Sequence, residues 1–174
     1  MKKHLIVMMG IPASGKSSIV KEIAAENPNA LVVSRDAIRF SMLEDGDDYF
    51  KYEDEVIDTF YRTIQDGLLD DIHDTIVADA THVTTKSRFD LWNHIDIPEG
   101  TKVSGYWVDC SVEVAIARNQ GREGRACVPD NIIRNMEKAA KAPLRTEPFH
   151  YINYINNYGE VPFITHTSWR KEIL

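Results

Sequence analysis

An apolar run that breaks at once into a loop short of bulky side chains constrains this chain more than any other feature. His4-Leu-Ile-Val-Met-Met9 is followed by Gly10-Ile-Pro-Ala-Ser-Gly-Lys-Ser17. Consecutive apolar positions of this length read as a strand buried on both faces. The loop matches G-x-x-x-x-G-K-[ST] at every fixed position. After Gly15, the residues Ile19, Val20, Ile23 and Ala24 fall at helical spacing, up to a stop at Asn27-Pro28-Asn29. Strand, loop and helix in this order form an anion cradle. Main-chain N–H groups turn into one concavity, and the helix N-terminus favours negative charge. Gly10 and Gly15 turn the backbone with no Cβ in the ligand's way. Lys16 is placed to reach the β- and γ-phosphates, and the Ser17 hydroxyl to ligate Mg²⁺. Ser14 and Ser18 complete the candidate nucleotide-binding set.

Buried runs and helical patterns alternate along the rest of the chain. Strands are predicted at Ala30–Ser34, Thr75–Thr81, Lys102–Asp109 and Val161–Thr167, with the run at His4–Met9 as the first of five. Helices are predicted from Asp36 to about Leu43, Tyr49 to about Leu69, Thr85 to His94, after Ser111 through Gln120, and from Pro129 to about Ala140. Ser111 suits a cap, and Pro129 suits a first helical position. Such alternation gives an α/β fold with a mainly parallel five-stranded sheet flanked by helices. With 174 residues and no linker-like segment, one domain over 1–174 is expected. The aromatic stretch Phe149–Phe163 is read as packing on the core. His4, His73, His94, His150 and His166 are read as structural or surface residues.

Charge and cysteines exclude several classes. No run of about 18 apolar residues spans a membrane, and the N-terminal run is too short for a signal peptide. Cys110 and Cys127 form no C-x-x-C or zinc spacing, so a reduced, cytoplasmic protein is the default (the host cytoplasm if the source is viral). The net charge of −7 argues against non-specific coating of nucleic acid. The charge is uneven: Glu44–Asp58 carries −7 and Arg118–Arg145 carries +4. The acidic run reads as a solvated helix face and its preceding loop.

Ligands of parallel sheets collect beyond the carboxyl ends of the strands, and polar residues gather there. Ser34-Arg-Asp-Ala-Ile-Arg39 follows a buried strand. In it, Asp36 can accept a proton from an attacking hydroxyl, and Arg35 and Arg39 can hold a phosphate on the acceptor. Equally, Asp36 can open a short helix between solvated arginines. Asp79 and Thr81 end the next strand. Arg118 and Arg122 lie four apart, beside Gly121 and Gly124, which can hinge a lid over residues 118–128. An arginine that closes on a transferring phosphoryl group stabilises its charge. Basic residues at a helix C-terminus also suit its dipole. A guanine-reading N-K-x-D is absent.

Gly10–Ser17, Ser34–Arg39, Ala78-Asp-Ala-Thr81 and Arg118–Pro129 together resemble the kinase domain of the bacteriophage-type polynucleotide 5′-hydroxyl kinases, over roughly positions 1 to 150. The resemblance implies a P-loop kinase fold with an arginine-bearing lid, ATP as phosphoryl donor and Mg²⁺. It implies Lys16 and Ser17 at ATP and the metal, Asp36 as general base, and Arg39 on the acceptor phosphate. Asp79 would organise the site and is a further candidate for the metal through water. Arg118 and Arg122 would be the lid arginines, Arg122 facing the ATP phosphates. The implied substrate is a 5′-hydroxyl end of DNA or RNA. Three departures stand out: one additional residue between Arg122 and Val128, His82 where the pattern tends to asparagine, and no D-x-D-G phosphatase motif, so no 3′-phosphatase domain is expected. Two rivals remain open: a kinase of a small-molecule or tRNA-linked hydroxyl, and a low-turnover nucleotide-binding regulator. Self-association and the role of Arg125 are left open.

Overall fold

The computed structural model describes residues 2–157 and 163–167. Its elements are β1 (His4–Met9), α1 (Lys16–Glu26), β2 (Ala30–Ser34), α2 (Arg35–Met42), α3 (Glu53–Leu69), β3 (Thr75–Asp79), α4 (Thr85–His94), β4 (Lys102–Asp109), α5 (Val112–Gln120), α6 (Asp130–Ala139), β5 (Tyr151–Asn156) and β6 (Phe163–Thr167). The strands form one sheet in the order β2-β3-β1-β4-β5-β6. Five are parallel, and β6 runs antiparallel to β5.

β1 lies in mid-sheet, which accounts for its unbroken apolar run. Its side chains alternate between the two faces. Leu5, Val7 and Met9 meet Phe60, Ile64 and Leu68 of α3 and Leu91 of α4. Ile6 and Met8 meet Ile19, Val20 and Ile23 of α1. A third cluster, Ile11, Val83, Cys110, Ala115, Ile116 and Ile133, seats α5 and α6 beside the loop after β1. The loops after β1, β2 and β3 therefore open on one edge.

Two expectations are corrected. The sheet has six strands among the described residues rather than five, because Tyr151–Asn156 forms β5 inside the stretch read as an aromatic tail. Packing was the right expectation for its residues Phe149, Ile152 and Ile155, all fully buried. The strand expected over Val161–Thr167 is the antiparallel edge β6; its first two positions, and Tyr158–Glu160, lie outside the described residues. The long helix begins at Glu53 rather than Tyr49, since Tyr49–Tyr52 form turns. Ser111 caps α5 by accepting from Val114 N–H, as expected. Pro129 stands one position before α6.

Both cysteines are free thiols, Cys110 buried and Cys127 exposed. No described helix is long and apolar enough to cross a membrane. His4 pairs with Ser104 Oγ, His73 with Asp70, His94 with the Asp90 carbonyl, and His150 accepts from Val103 N–H, all structural roles. The His166 side chain lies outside the described residues.

Candidate active site

The loop between β1 and α1 is held in a conformation that only small residues permit. Gly10 (φ 155°) and Gly15 (φ 104°) have positive φ, and so does Ala13 (φ 60°). A Cβ on Gly10 would lie 2.8 Å from the Val108 carbonyl, and one on Gly15 would lie 2.2 Å from Asn157 Nδ2. Gly10 N–H donates to Thr81 O at 2.9 Å, which ties the loop to the exit of β3. Ser14 is fully buried, and its hydroxyl has no partner among the described residues. Lys16 folds over the loop and donates to the carbonyls of Gly10 (2.8 Å) and Ile11 (2.9 Å). Burial of its ammonium lowers the Lys16 pKa to about 8, against the opposing pull of Asp79 and then Asp36; Arg122 adds to the lowering. Ser17 and Ser18 are exposed on the first turn of α1. A cradle with no room for Cβ atoms, an unpartnered buried hydroxyl and a lysine beside them fit the phosphates of a nucleoside triphosphate.

Across the edge stands Asp79, paired in register with Ser34 of β2. Its pKa is raised, first by burial and then by Asp36, while Lys16 and a hydrogen bond from Ser34 oppose the rise. Ser34 also caps α2 by accepting from Ala37 N–H. That cap sets Asp36 in the first helical turn, with its side chain 68% exposed. Arg39 Nη1 (3.0 Å) and the Tyr49 hydroxyl (3.1 Å) both donate to Asp36 Oδ1. The Asp36 and Asp79 carboxylates thus both bear on the Lys16 ammonium. Ser17 and Asp79 carry side-chain oxygens at this edge that could serve a metal; among the described residues no cluster of three or more His, Cys, Asp or Glu stands ready to hold an ion.

The arginines divide. Arg39, expected on the acceptor phosphate, is 4% exposed. Its guanidinium serves Asp36, Tyr49 and Glu53, and it lies 4.5 Å from the Tyr49 ring centroid. Arg35 is half-buried and also bonds Glu53. Glu53, read as one more solvated acid, is the shared counter-ion of both. Arg35 faces a cavity of about 240 Å³ with Tyr61, Thr81, His82, Lys86 and Ser87. His82 is buried at φ 41°, and its Nδ1 lies 3.0 Å from the Met8 carbonyl, so that nitrogen carries the proton. Burial lowers its pKa to about 4, so the ring is neutral near pH 7.

On the opposite side, Arg118 ends α5 and donates to Asn157 Oδ1 at 3.1 Å. Arg122 is exposed and reaches the Ala126 carbonyl at 3.5 Å, within the loop 121–128. Arg125 donates to the Glu44 carbonyl, so the basic loop after α5 meets the acidic loop before α3. Sequence reasoning missed Glu53, Tyr49 and Asn157 as neighbours of the site. Each reaches it through a contact distant in sequence, and no local spacing marks it.

Solved structures share this fold. The chain superposes on an unliganded sugar kinase from Janibacter sp. HTCC2649 with a TM-score of 0.61 at 17% identity, covering 90% of this chain and 86% of that one. It matches a chain of the Pnkp1/Rnl/Hen1 RNA repair complex (TM-score 0.66, 23% identity), covering 79% of this chain and 44% of that one. A fungal RNA kinase gives a TM-score of 0.64 at 10% identity over 92% and 78% of the two chains. At these identities the matches establish the P-loop kinase-like fold. The family model described as "AAA domain" matches residues 5–143, and the chain belongs to that family, AAA_33, of P-loop kinases.

Proposed function

We propose that the protein transfers the γ-phosphoryl group of ATP to a 5′-hydroxyl at the end of a nucleic acid. The observation that carries this reading is the position of Asp36. Its carboxylate stands at the sheet edge within the electrostatic reach of Lys16, with both of its described hydrogen bonds on Oδ1. Oδ2 is left for the acceptor's proton. The loop N–H groups and Lys16 would hold the donor phosphates, with Ser17 and Asp79 at a magnesium ion. When bound, that ion would supply charge neutralisation at the donor phosphates.

As the acceptor oxygen bonds to the γ-phosphorus, the bond from that phosphorus to the β-bridging oxygen breaks and ADP departs. The hydroxyl proton passes to Asp36. Arg39 and Tyr49 orient Asp36, and Arg122, brought inward with the lid, would stabilise charge on the transferring group. Arg35, Thr81 and the cavity beside them would receive the acceptor. A fungal RNA kinase and a chain of an RNA repair complex among the structural neighbours support a nucleic-acid substrate.

One observation favours a small polyol acceptor instead. Glu53 already pairs with both acceptor-side arginines, and the stretch that holds it, Glu44–Asp58, carries −7. A sugar kinase is also among the neighbours. The base assignment is the same in both readings. Asp36→Asn should lower kcat by about 10²–10⁴-fold, the usual worth of a positioned base, with ATP affinity retained. A kcat within threefold of native would remove Asp36 from this role.

A further inference from the structure

The side-chain amide of Asn157 lies where the phosphate loop, the last turn of α5 and the end of β4 meet. Its Nδ2 donates to Ser14 O at 2.7 Å, and its Oδ1 accepts from Arg118 Nη2 at 3.1 Å. Its backbone N–H donates to Asp109 O at 2.8 Å, and the residue is 8% exposed. These neighbours fix which way the amide faces: a carbonyl needs a donor and a guanidinium needs an acceptor. A carboxylate could serve Arg118 but would set oxygen against oxygen at Ser14.

The contact has a consequence on the far side of the loop. The Ser14–Gly15 peptide is trans, so its C=O and N–H point in opposite directions. Holding Ser14 O toward Asn157 holds the Gly15 N–H away from it, toward the concave side that receives phosphate. Gly15, with no Cβ and φ 104°, is the position at which this peptide could otherwise rotate.

We propose that Asn157 is a positioning residue for the donor nucleotide. Its carboxamide aims the Gly15 N–H at the phosphates and also holds Arg118 at the root of the lid, so that loop and lid are set together. This rests on the nucleotide reading of the loop and does not depend on the acceptor.

The test is binding of a fluorescent ATP analogue, without any acceptor, to the native chain, N157A, N157D, R118A and the N157A/R118A pair, each with its melting temperature. N157A should bind about tenfold more weakly, because the Ser14 carbonyl and the Arg118 guanidinium lose the partner that orients them, and should melt lower but still fold. N157D should bind more weakly still. In the R118A background the N157A loss should shrink, because half of the role is already gone. Binding by N157A within twofold of native, or losses that add fully with R118A, would overturn the proposal. Should N157A fail to fold, the Asn157 side-chain NH₂ resonances of the native protein decide: they should shift on titration with ATP, and unchanged signals would overturn it. A native protein that does not bind the analogue would instead remove the nucleotide reading itself.

Discussion

The pKa of Lys16 makes nucleotide binding depend on pH in a direction and range that can be worked out. In the free protein its ammonium is buried against the Gly10 and Ile11 carbonyls and titrates at about 8. A triphosphate in the cradle brings several negative charges beside it, which raises that pKa. Affinity is therefore full below pH 8 and falls as pH rises through it. Between pH 7 and pH 9 the dissociation constant should weaken roughly tenfold, or about 1.4 kcal/mol. At pH 8, where the free ammonium is half-ionised, about half a proton should be taken up per nucleotide bound. Calorimetric titration of ATP in buffers of different ionisation enthalpy measures both quantities. Unfolding cannot mimic the effect. The folded-state pKa of Lys16 lies below its unfolded value of 10.5, so through this residue the fold gains stability as pH rises from 8. Affinity that stays flat from pH 7 to 9 with no proton uptake would refute the assignment of Lys16 to the phosphates. Lys16→Met should abolish the pH dependence together with most of the affinity.

Other outcomes concern the frame around the site. Arg88 and Glu147 form a fully buried bidentate pair (2.8 and 3.0 Å), and Arg88 also donates to the His82 carbonyl at 3.0 Å. Glu147→Ala leaves a buried guanidinium uncompensated and should cost about 3–5 kcal/mol, read by urea unfolding. Replacing both residues with methionine should recover much of that, and a loss below about 1 kcal/mol for Glu147→Ala would contradict the burial argument. Acid should weaken the fold through His82. Its folded pKa of about 4 lies below the unfolded 6.5, so stability is full above pH 6.5 and is lost as pH falls toward 4. That amounts to about 2 kcal/mol at pH 5. His4, with its pKa lowered to about 4 by burial and then by Lys102, acts in the same direction. Equal urea midpoints at pH 7 and pH 5 would contradict both.

The phosphate loop was legible because its determinants are local. Five consecutive apolar residues, Leu5–Met9, followed by a glycine-spaced lysine specify strand, cradle and helix within about twenty positions. The cap at Ser111 was equally readable; at the loop after β2, Asp36 was read as opening the helix, whereas Ser34 caps α2 and sets Asp36 in its first turn. β5 was not legible. Between Tyr151 and Asn156 only Ile152 and Ile155 are fully buried, three apart, so alternation is broken. Its tyrosines and asparagines resemble a polar tail until β4 is seen beside it. The same limit hid Glu53 and Asn157. One looks like any acid in an acidic run, the other like any asparagine after a strand; their partners lie up to 143 positions away. Arg39 shows the converse. Its spacing from Asp36 is local and legible, but its burial and its pairing with Tyr49 and Glu53 come from α3 and the turns before it.

The central claim is that the carboxylate at Asp36 directs phosphoryl transfer from ATP to an alcohol, with a nucleic-acid end as the preferred acceptor. Incubation with γ-labelled ATP, magnesium and, in separate reactions, a 5′-hydroxyl oligonucleotide, a nucleoside and gluconate tests it most directly. Label should appear on the 5′ end of the oligonucleotide, far faster with native protein than with Asp36→Asn. Label on gluconate or the nucleoside alone would contradict the assigned acceptor. Label on none of them, with ATP still bound, would contradict transfer to these alcohols.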